Sequence, residues 1–492
     1  MESIIQERGE LIGGSAERTR SARWAIASLS LAMLLSSLGT SVANVSLPTL
    51  ALAFSASFPQ VQWVVLAYLL ASTTLIVGAG RLGDITGRRR LLVAGIALFT
   101  LASVLCGAAP TLWLLIAARA VQGLAAAIMM ALTMAFVGET VPKASMGSAM
   151  GLLGTMSAIG TALGPSLGGV LIAGFSWRAI YFVNVPLGAA TLFLAHRNLP
   201  ADRPTSTREP VGFDNVGTLL LALTLAAYAL AMTIGRGHFG RLNVVLLFAA
   251  VLGVALFVLA EKRAALPLIQ LAMFRDPALI ASLAMSTLVS TVMMATLVVA
   301  PFYLSRALGL NVATVGLVLS VGPLATALTG VPAGRIADRR GTQRMTVIGL
   351  IGIVMGLGML SLVPTTLGIP GYVAPIVVTT VGYALFQTAN NAAVMTDVRP
   401  ERRGVIAGML NLSRNLGLIT GASVMGTVFA LASAMTDITT ARPEAVANGM
   451  RITFAVAIGL MVGAIAILLV GHVLSQRAVS RTREPGDGRD LA

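Results

Sequence analysis

A short charged turn occurs twice in this chain, and each copy lies between two long apolar segments. The first copy is GRLGDITGRRR, residues 80–90, and the second is GRIADRRGTQR, residues 334–344. Five positions are identical and lie 254 residues apart; in the first copy they are Gly80, Arg81, Asp84, Gly87 and Arg90. A charged turn repeated between hydrophobic segments is typical of a duplicated membrane bundle. The repeat therefore predicts two homologous halves.

The composition is that of a membrane protein with many spans. Hydrophobic residues make up 56% of the 492 residues and charged residues only 11%, whereas about a quarter of a soluble domain is charged. A helix needs about 20 apolar residues to cross a bilayer, so the chain can supply about 14 spans. We predict an all-α protein of fourteen transmembrane helices, in two six-helix bundles with two inserted helices between them.

The predicted organisation follows from the apolar segments and the polar stretches between them. The inserted pair consists of apolar segments long enough to cross, although a twelve-span protein with that pair lying flat at the surface is the alternative. The predicted parts are a cytoplasmic N-terminal segment (1–23), an N-terminal six-helix bundle (24–196), cytoplasmic loops with the inserted pair (197–276), a C-terminal six-helix bundle (277–476) and a disordered cytoplasmic tail (477–492).

The positive charges predict the orientation and exclude several functions. Of the 34 Lys and Arg residues, 26 lie in segments on one side of the predicted membrane and 6 on the other. This bias places both termini in the cytoplasm, and it accounts for the net charge of +15 without a nucleic-acid partner. One cysteine, Cys106, allows neither an intrachain disulfide nor a cysteine metal cluster. Three scattered histidines argue against an intramembrane enzyme, and we expect no metal or cofactor.

Two arginines, Arg119 and Arg414, lie inside predicted spans. A permanent cation at such depth costs at least about 2.5–3.5 kcal/mol, which favours a position facing a wet cavity. Gln122 lies one helical turn from Arg119, and Asn411, Arg414 and Asn415 share one helix face. The alternative for Arg119 is a structural role, with its guanidinium bonded to the carbonyls of neighbouring helices.

The fifth predicted span contains the glycine-rich run GTALGPSLGG, residues 160–169. Glycines four residues apart line one face of a helix and allow another backbone to approach closely, and a proline within the helix bends it. Such a face suits two bundles that rock against each other, but ordinary small-residue packing would produce the same pattern. The residues of this run are Gly160, Gly164, Pro165, Gly168 and Gly169.

These motifs together resemble the major facilitator superfamily, in particular its fourteen-span drug:proton antiporter branch. Residues 80–90 resemble the signature of loop 2–3, and LIAARAVQG (115–123) resembles that of span 4. Residues 160–169 resemble the span 5 signature of antiporters, and SWRAIYFVNVPLG (176–188) the entry to span 6. The resemblance implies a monomeric multi-pass transporter of the bacterial inner membrane. It would export small amphipathic compounds by alternating access, coupled to protons as in this branch, and so contribute to multidrug efflux and antibiotic resistance.

One departure from the branch changes the expected cargo. Span 1 of the branch carries an aspartate where this chain has Gly39, and none of the 19 acidic residues lies inside a predicted span. A cavity with two cations and no carboxylate favours anionic, zwitterionic or neutral amphiphiles over organic cations. Arginine keeps its proton in proteins, so proton coupling is implied by the resemblance alone. A narrower cargo, such as a lipid, a siderophore or an anionic metabolite, is the alternative.

The candidate site residues come partly from the resemblance and partly from polar side chains inside the predicted spans. Asp84 would act as a conformational latch at the cytoplasmic side, whereas the arginines after it could simply follow the positive-inside bias. The predicted latch comprises Gly80, Asp84, Gly87, Arg88 and Asp338. Polar side chains in spans often bond other helices instead of a substrate. The candidate substrate-binding residues are Asn44, Trp63, Tyr68, Arg119, Gln122, Asn184, Gln387, Asn411, Arg414 and Asn415.

Overall fold

The computed structural model describes residues 2–56, 58–202, 214–233, 240–264, 267–396, 398–399, 402–433 and 442–483, with the side chains of 2–22, 471–483 and a few single positions left out. Its long elements are α-helices. They are α1 (Glu2–Ala53), α2 (Phe58–Thr86), α3 (Arg88–Ala108), α4 (Leu112–Thr140), α5 (Met146–Gly174), α6 (Ala179–Phe182), α7 (Asn184–Asn198), α8 (Asn215–Thr233), α9 (Arg241–Arg263), α10 (Pro277–Phe302), α11 (Val312–Arg340), α12 (Thr342–Leu362), α13 (Gly368–Thr396), α14 (Arg403–Ala432) and α15 (Pro443–Arg483).

Fourteen helical segments among the described residues are long and apolar enough to cross a membrane. The helices α6 and α7 together form the sixth of these segments, Ala179–Asn198. Both helices of the inserted pair, α8 and α9, are among the fourteen. The predicted all-α, fourteen-span architecture is therefore confirmed.

Local sequence signals explain where several helices begin and end. The helix α10 begins with a proline, and the Asp276 side chain accepts a hydrogen bond from the N–H of Ala278 at 2.9 Å, which satisfies an otherwise unpaired donor. The helices α2 and α11 end in the two charged turns at Gly87 and Gly341, where φ is +103° and +88°. Because residues with a side chain rarely adopt such backbone angles, both copies of the turn need glycine at this position.

The first compact unit comprises Met1–Phe213, Ser320–Met345 and Gln387–Asn411. It therefore contains α1–α7 together with parts of α11, α13 and α14. An apolar cluster between α1, α2, α4 and α6 forms part of its core, and the Trp177 ring packs there against Phe54 at 5.3 Å and Tyr181 at 6.3 Å between centroids.

The second compact unit comprises Asp214–Leu319, Thr346–Phe386 and Leu412–Ala492. Its core is formed by apolar side chains of α10, the beginning of α11, α12, α13, α14 and α15. The inserted helices α8 and α9 pack against each other, and the hydroxyl of Tyr228 on α8 is hydrogen-bonded to that of Thr420 on α14. The predicted bundle boundaries remain predictions. The helix α15 continues to Arg483, into the segment predicted to be disordered.

Candidate functional site

The first charged turn holds the beginning of α14 through the carboxylate of Asp84. The Asp84 oxygens accept hydrogen bonds from the backbone N–H groups of Gly404 (3.1 Å) and Val405 (3.2 Å). These N–H groups belong to the first turn of α14, where a helix has unpaired donors and a partial positive charge. We name this interaction the first turn contact. It joins an element of the first repeat to one of the second within the first unit.

Arg88 binds the same carboxylate and connects it to α4. Its Nε and Nη2 atoms donate to Asp84 Oδ1 at 3.0 and 2.7 Å. Its Nη1 atom donates to Glu139 at the end of α4. Arg88 is only 7% exposed, so both carboxylates neutralise a largely desolvated cation, which strengthens each bond. The predicted latch residues Asp84 and Arg88 therefore lie in direct contact.

The second charged turn makes the equivalent contact with the beginning of α5. Asp338 accepts hydrogen bonds from the backbone N–H groups of Gly147 (2.7 Å) and Ser148 (2.9 Å). The Ser148 hydroxyl donates to the same carboxylate at 2.5 Å. We name this interaction the second turn contact. The duplicated turns thus use the same chemistry, a carboxylate facing a helix N-terminus, on two different helices.

Glycines allow the backbones at both contacts to approach closely. A Cβ atom added at Gly80 would lie 2.1 Å from the carbonyl oxygen of Gly404, and one at Gly334 would lie 2.2 Å from that of Gly147. Both distances are far below a van der Waals contact distance. The atoms that would be met belong to helix backbone, which cannot move aside as a flexible side chain can. The first glycine of each copy, Gly80 or Gly334, is therefore needed for the close approach of the helices. The later glycine, Gly87 or Gly341, is needed for its backbone angle.

Arg119 on α4 is completely buried in the first unit. Its Nε atom donates to the Val64 carbonyl of α2 at 3.0 Å, and its Nη1 atom donates to the Gly39 carbonyl of α1 at 3.0 Å. Its guanidinium lies 4.2 Å from the centroid of the Tyr68 ring, a favourable cation–π distance. The geometry thus contains the carbonyl bonds that characterise the structural alternative for this residue.

Gln122 extends this network toward α3. Its Oε1 atom accepts from Arg119 Nη1 at 2.6 Å, and its Nε2 atom donates to the Ser103 hydroxyl at 2.8 Å. The Tyr68 hydroxyl donates to the Ser36 carbonyl at 2.9 Å. Three of the predicted substrate-binding residues, Tyr68, Arg119 and Gln122, are therefore brought together in one buried network.

The charge of Arg119 is not neutralised by this network. Among the residues that the structure describes, Arg119 makes no ion pair and its Nη2 atom has no hydrogen-bond acceptor. Carbonyl bonds to a cation contribute about 1.5–3 kcal/mol each, which offsets the cost of burial. They carry no formal negative charge, however, so the positive field of the guanidinium persists around the network.

The position that carries aspartate in the antiporter branch lies beside this guanidinium. The Gly39 carbonyl is one of the acceptors of Arg119. A Cβ atom at position 39 would lie 2.7 Å from Phe99 Cζ and 3.8 Å from the Tyr68 hydroxyl. A side chain here would therefore point toward α3 and α2, next to the buried cation.

The other predicted substrate-binding residues have different surroundings. Trp63 is half-buried, and the Asn184 side chain is buried and donates to the Ile180 carbonyl at 3.3 Å. Gln387 donates to the Asn391 side chain at 3.3 Å. The side chain of Asn44 lies outside the described residues.

The polar face predicted for α14 is divided between the two units. Asn411, in the first unit, donates to the Ala407 carbonyl at 3.0 Å and to Met134 Sδ of α4 at 3.0 Å. Arg414 and Asn415, in the second unit, are both partly buried. The substrate-binding role of all these residues stays a prediction.

The glycine run of α5 packs against α1. A Cβ atom at Gly160 would lie 2.6 Å from the Leu34 carbonyl oxygen, and one at Gly164 would lie 2.0 Å from the Ser41 hydroxyl. At Gly169 a Cβ atom would meet nothing within 4 Å. Gly168 is buried, and the side chain of Pro165 lies outside the described residues. The close helix approach expected from this run is thus made within one repeat.

The sequence analysis did not single out five residues of the turn contacts, which are Glu139, Gly147, Ser148, Gly404 and Val405. Glu139 ends the fourth span in the short polar sequence GET, and Ser148 and Gly404 lie near the starts of α5 and α14. An acidic residue at the predicted cytoplasmic end of span 4 could have been proposed as a partner for the arginines of the turn. The helix N-terminus that each aspartate contacts is determined by the packing of helices of the first repeat against helices of the second.

A family model described as Major Facilitator Superfamily matches residues 29–422. The chain belongs to the major facilitator superfamily. Its fourteen spans place it in the branch that the motifs indicated, and members of this superfamily are transporters, not enzymes. Multidrug resistance protein Stp of Mycobacterium tuberculosis (strain ATCC 25618 / H37Rv) is 32% identical over 400 residues, 79% of this chain and 72% of that protein.

Two further similar proteins are a curated transporter and a solved structure. Riboflavin transporter RibZ of Clostridioides difficile (strain 630) is 29% identical over 400 residues, 81% of this chain and 86% of that protein. The crystal structure of the human organic anion transporter MFSD10 (TETRAN) superposes with a TM-score of 0.67 at 15% identity, covering 91% of this chain and 99% of that chain. At this identity the structural likeness concerns the fold alone.

Proposed function

We propose that this superfamily member exports small amphipathic compounds by alternating access and exchanges them for protons. The similarity to Multidrug resistance protein Stp supports efflux of drug-like compounds. The predicted setting is a bacterial inner membrane with both termini cytoplasmic, in agreement with the positive-inside bias. Transport by a monomer, through rocking of residues 24–196 against 277–476, completes the proposal.

The charge of Arg119 determines which class of cargo we propose. The observation that carries it is the buried, unneutralised charge of Arg119 beside Gly39. An uncompensated cation in a low-dielectric surrounding attracts anions and repels cations over several ångströms. Anionic, zwitterionic and neutral amphiphiles are therefore the preferred cargo, and organic cations are disfavoured.

The two turn contacts supply the conformational part. Each joins the first repeat to the second at the end predicted to be cytoplasmic, through hydrogen bonds that are lost if the helices separate. Charge-assisted bonds of this kind contribute about 1.5–3 kcal/mol each. We assign Gly80, Asp84, Gly87, Arg88 and Asp338 to a latch that stabilises the state with this end closed.

Transport by purified protein in liposomes tests the cargo and the coupling together. Lumenal pH is followed with a trapped dye while taurocholate, an amphipathic anion, or tetraphenylphosphonium, an amphipathic cation, is added outside. We expect a proton flux with taurocholate and a smaller one with tetraphenylphosphonium. A larger response to the cation would contradict the cargo class, and transport of either compound without a pH change would contradict proton exchange.

Variants of Arg119 and Arg414, the two arginines inside predicted spans, identify the residues responsible. Arg119→Ala and Arg414→Ala should reduce taurocholate transport while the protein still inserts. Arg275→Ala is the matched control, because Arg275 is exposed and precedes α10. Unchanged transport in both the Arg119→Ala and Arg414→Ala variants would remove these arginines from the proposed site.

A transporter with a narrow cargo is the second candidate. It is favoured by the similarity to Riboflavin transporter RibZ, which covers 81% of this chain. Accumulation of a panel of unrelated dyes in cells, with and without an uncoupler, separates the two candidates. A broad exporter lowers retention of many dyes, whereas a narrow one affects riboflavin or a single chemical class.

A further inference from the structure

Asp202 is hydrogen-bonded to the backbone of the first charged turn, although it lies more than 100 residues later in the chain. It lies just beyond α7, and its carboxylate accepts hydrogen bonds from the backbone N–H groups of Arg89 (2.8 Å) and Arg90 (3.2 Å). These two groups are among the unpaired donors of the first turn of α3. Because both carboxylate oxygens are used, the contact fixes the orientation of that turn as well as its distance from Asp202.

The turn is shaped to receive this carboxylate. At Gly87, where φ is +103°, an added Cβ atom would lie 2.5 Å from Asp202 Oδ2. Glycine is therefore required here by the backbone angle and by the approach of Asp202. A second bond, from the Arg89 guanidinium to the His196 carbonyl, joins the end of α7 to the same turn.

The residue held in this way is next to the centre of the first turn contact. Arg88 is the first residue of α3, immediately before the N–H groups that Asp202 accepts. Its guanidinium must reach Asp84 on α2 and Glu139 on α4 at once. A small rotation of the first turn of α3 would move Arg88 away from one of these carboxylates.

We propose that Asp202 is a positioning residue for the latch, acting through Arg88. It joins residues 199–202, which follow the sixth span, to the first turn contact, so that a displacement of these residues weakens the closed state. The inference rests on the proposed alternating access for its functional meaning. The chemistry itself, one carboxylate that orients a helix start carrying the latch arginine, is independent of any cargo.

Thiol labelling of the closed contact tests this role without a cargo. Val405 is 3% exposed and its N–H group bonds Asp84, so Val405→Cys in a Cys106→Ala background reports opening of the first turn contact. We measure its reaction rate with a water-soluble maleimide in purified protein. Asp202→Ala should accelerate labelling about tenfold, and Asp202→Asn, which retains one acceptor oxygen, about threefold.

A matched variant separates positioning from general helix capping. Asp276 also accepts an N–H group at the start of a helix, α10, but has no described bond to the charged turn. Asp276→Ala should leave the labelling rate of Val405→Cys unchanged. An equal acceleration by Asp276→Ala and Asp202→Ala would overturn the proposal.

A double-mutant cycle shows whether Asp202 acts through the latch. In an Asp84→Asn background, Asp202→Ala should accelerate labelling less than twofold, because the contact that it supports is already weakened. Independent, multiplicative effects of the two changes would overturn the proposal. If Asp202→Ala does not fold, the same double-mutant cycle is measured with Asp202→Asn. Failure of cargo transport with this labelling pattern intact would refute the proposed export and leave the positioning role standing.

Discussion

A carboxylate introduced at position 39 tests whether Arg119 determines the charge of the cargo. Gly39→Asp restores the residue type found here in the antiporter branch and places it beside a cation that already bonds the Gly39 carbonyl. The formal charge of the buried network then changes from +1 to 0. We expect the preference of the transporter to move from anions toward organic cations.

The magnitude follows from Coulomb's law. At an effective dielectric constant of about 20, a unit charge about 8 Å away contributes about 2 kcal/mol to the energy of a monovalent cargo. This energy corresponds to a change of about 30-fold in relative affinity. Cation and anion shift in opposite directions, so their ratio should change by more than either value alone.

The same substitution has a steric cost that must be separated from the charge. The new Cβ atom would lie 2.7 Å from Phe99 Cζ, so the ring must move by several tenths of an ångström. Overpacking of this kind costs about 1–3 kcal/mol. Gly39→Ala adds the Cβ atom without a polar group and so controls for the contact with Phe99. Gly39→Asn has nearly the shape of aspartate without its charge.

Competition in liposomes measures the shift. Uptake of labelled taurocholate is recorded against increasing tetraphenylphosphonium for the four proteins. Gly39→Asp should lower the inhibitory concentration of the cation at least tenfold, while the alanine and asparagine variants should resemble the parent. An equal shift in Gly39→Asn would show that shape is responsible, and no shift in a folded Gly39→Asp protein would refute the role of the Arg119 field.

Three further predictions concern the turn contacts. Asp84→Asn should weaken the first contact by about 1–3 kcal/mol and accelerate maleimide labelling at Val405→Cys about tenfold or more. Gly80→Ala should abolish closure and reduce transport at least tenfold, since its Cβ atom would meet backbone at 2.1 Å, whereas Gly154→Ala, with nothing within 4 Å, should be neutral. Ser148→Ala removes one of three bonds to its aspartate and should weaken the second contact by about 1 kcal/mol, measured as a modestly faster labelling of a cysteine beside it.

The sequence predicted the parts of this fold that depend on periodicity and repetition. Apolar length sets the number of spans, and the duplicated turn places equivalent glycines at the ends of α2 and α11. Both glycines have the positive φ angles that a tight turn after a helix requires. These features are local, so a single sequence contains the information for them.

The sequence did not predict partners that come together only through packing. Arg88 and Glu139 are 51 residues apart, and Arg89 and Asp202 are 113 residues apart. The depth of Arg119 could be counted along its helix, but its acceptors are carbonyls of α1 and α2. Every residue has a carbonyl group, so no residue type in the sequence marks those acceptors.

The two turn contacts differ in composition, but their carboxylates and Arg88 sum to the same formal charge. Asp338 faces the start of α5 with one negative charge and no described ion pair, and position 342, the equivalent of Arg88, is a threonine. In the first contact, Arg88 neutralises one carboxylate of two, so Asp84, Arg88 and Glu139 together also carry one negative charge. A helix N-terminus has a partial positive charge of about one half, which a neutral group would stabilise far less. Glu139 thus restores the formal negative charge that Arg88 would otherwise cancel among these three side chains.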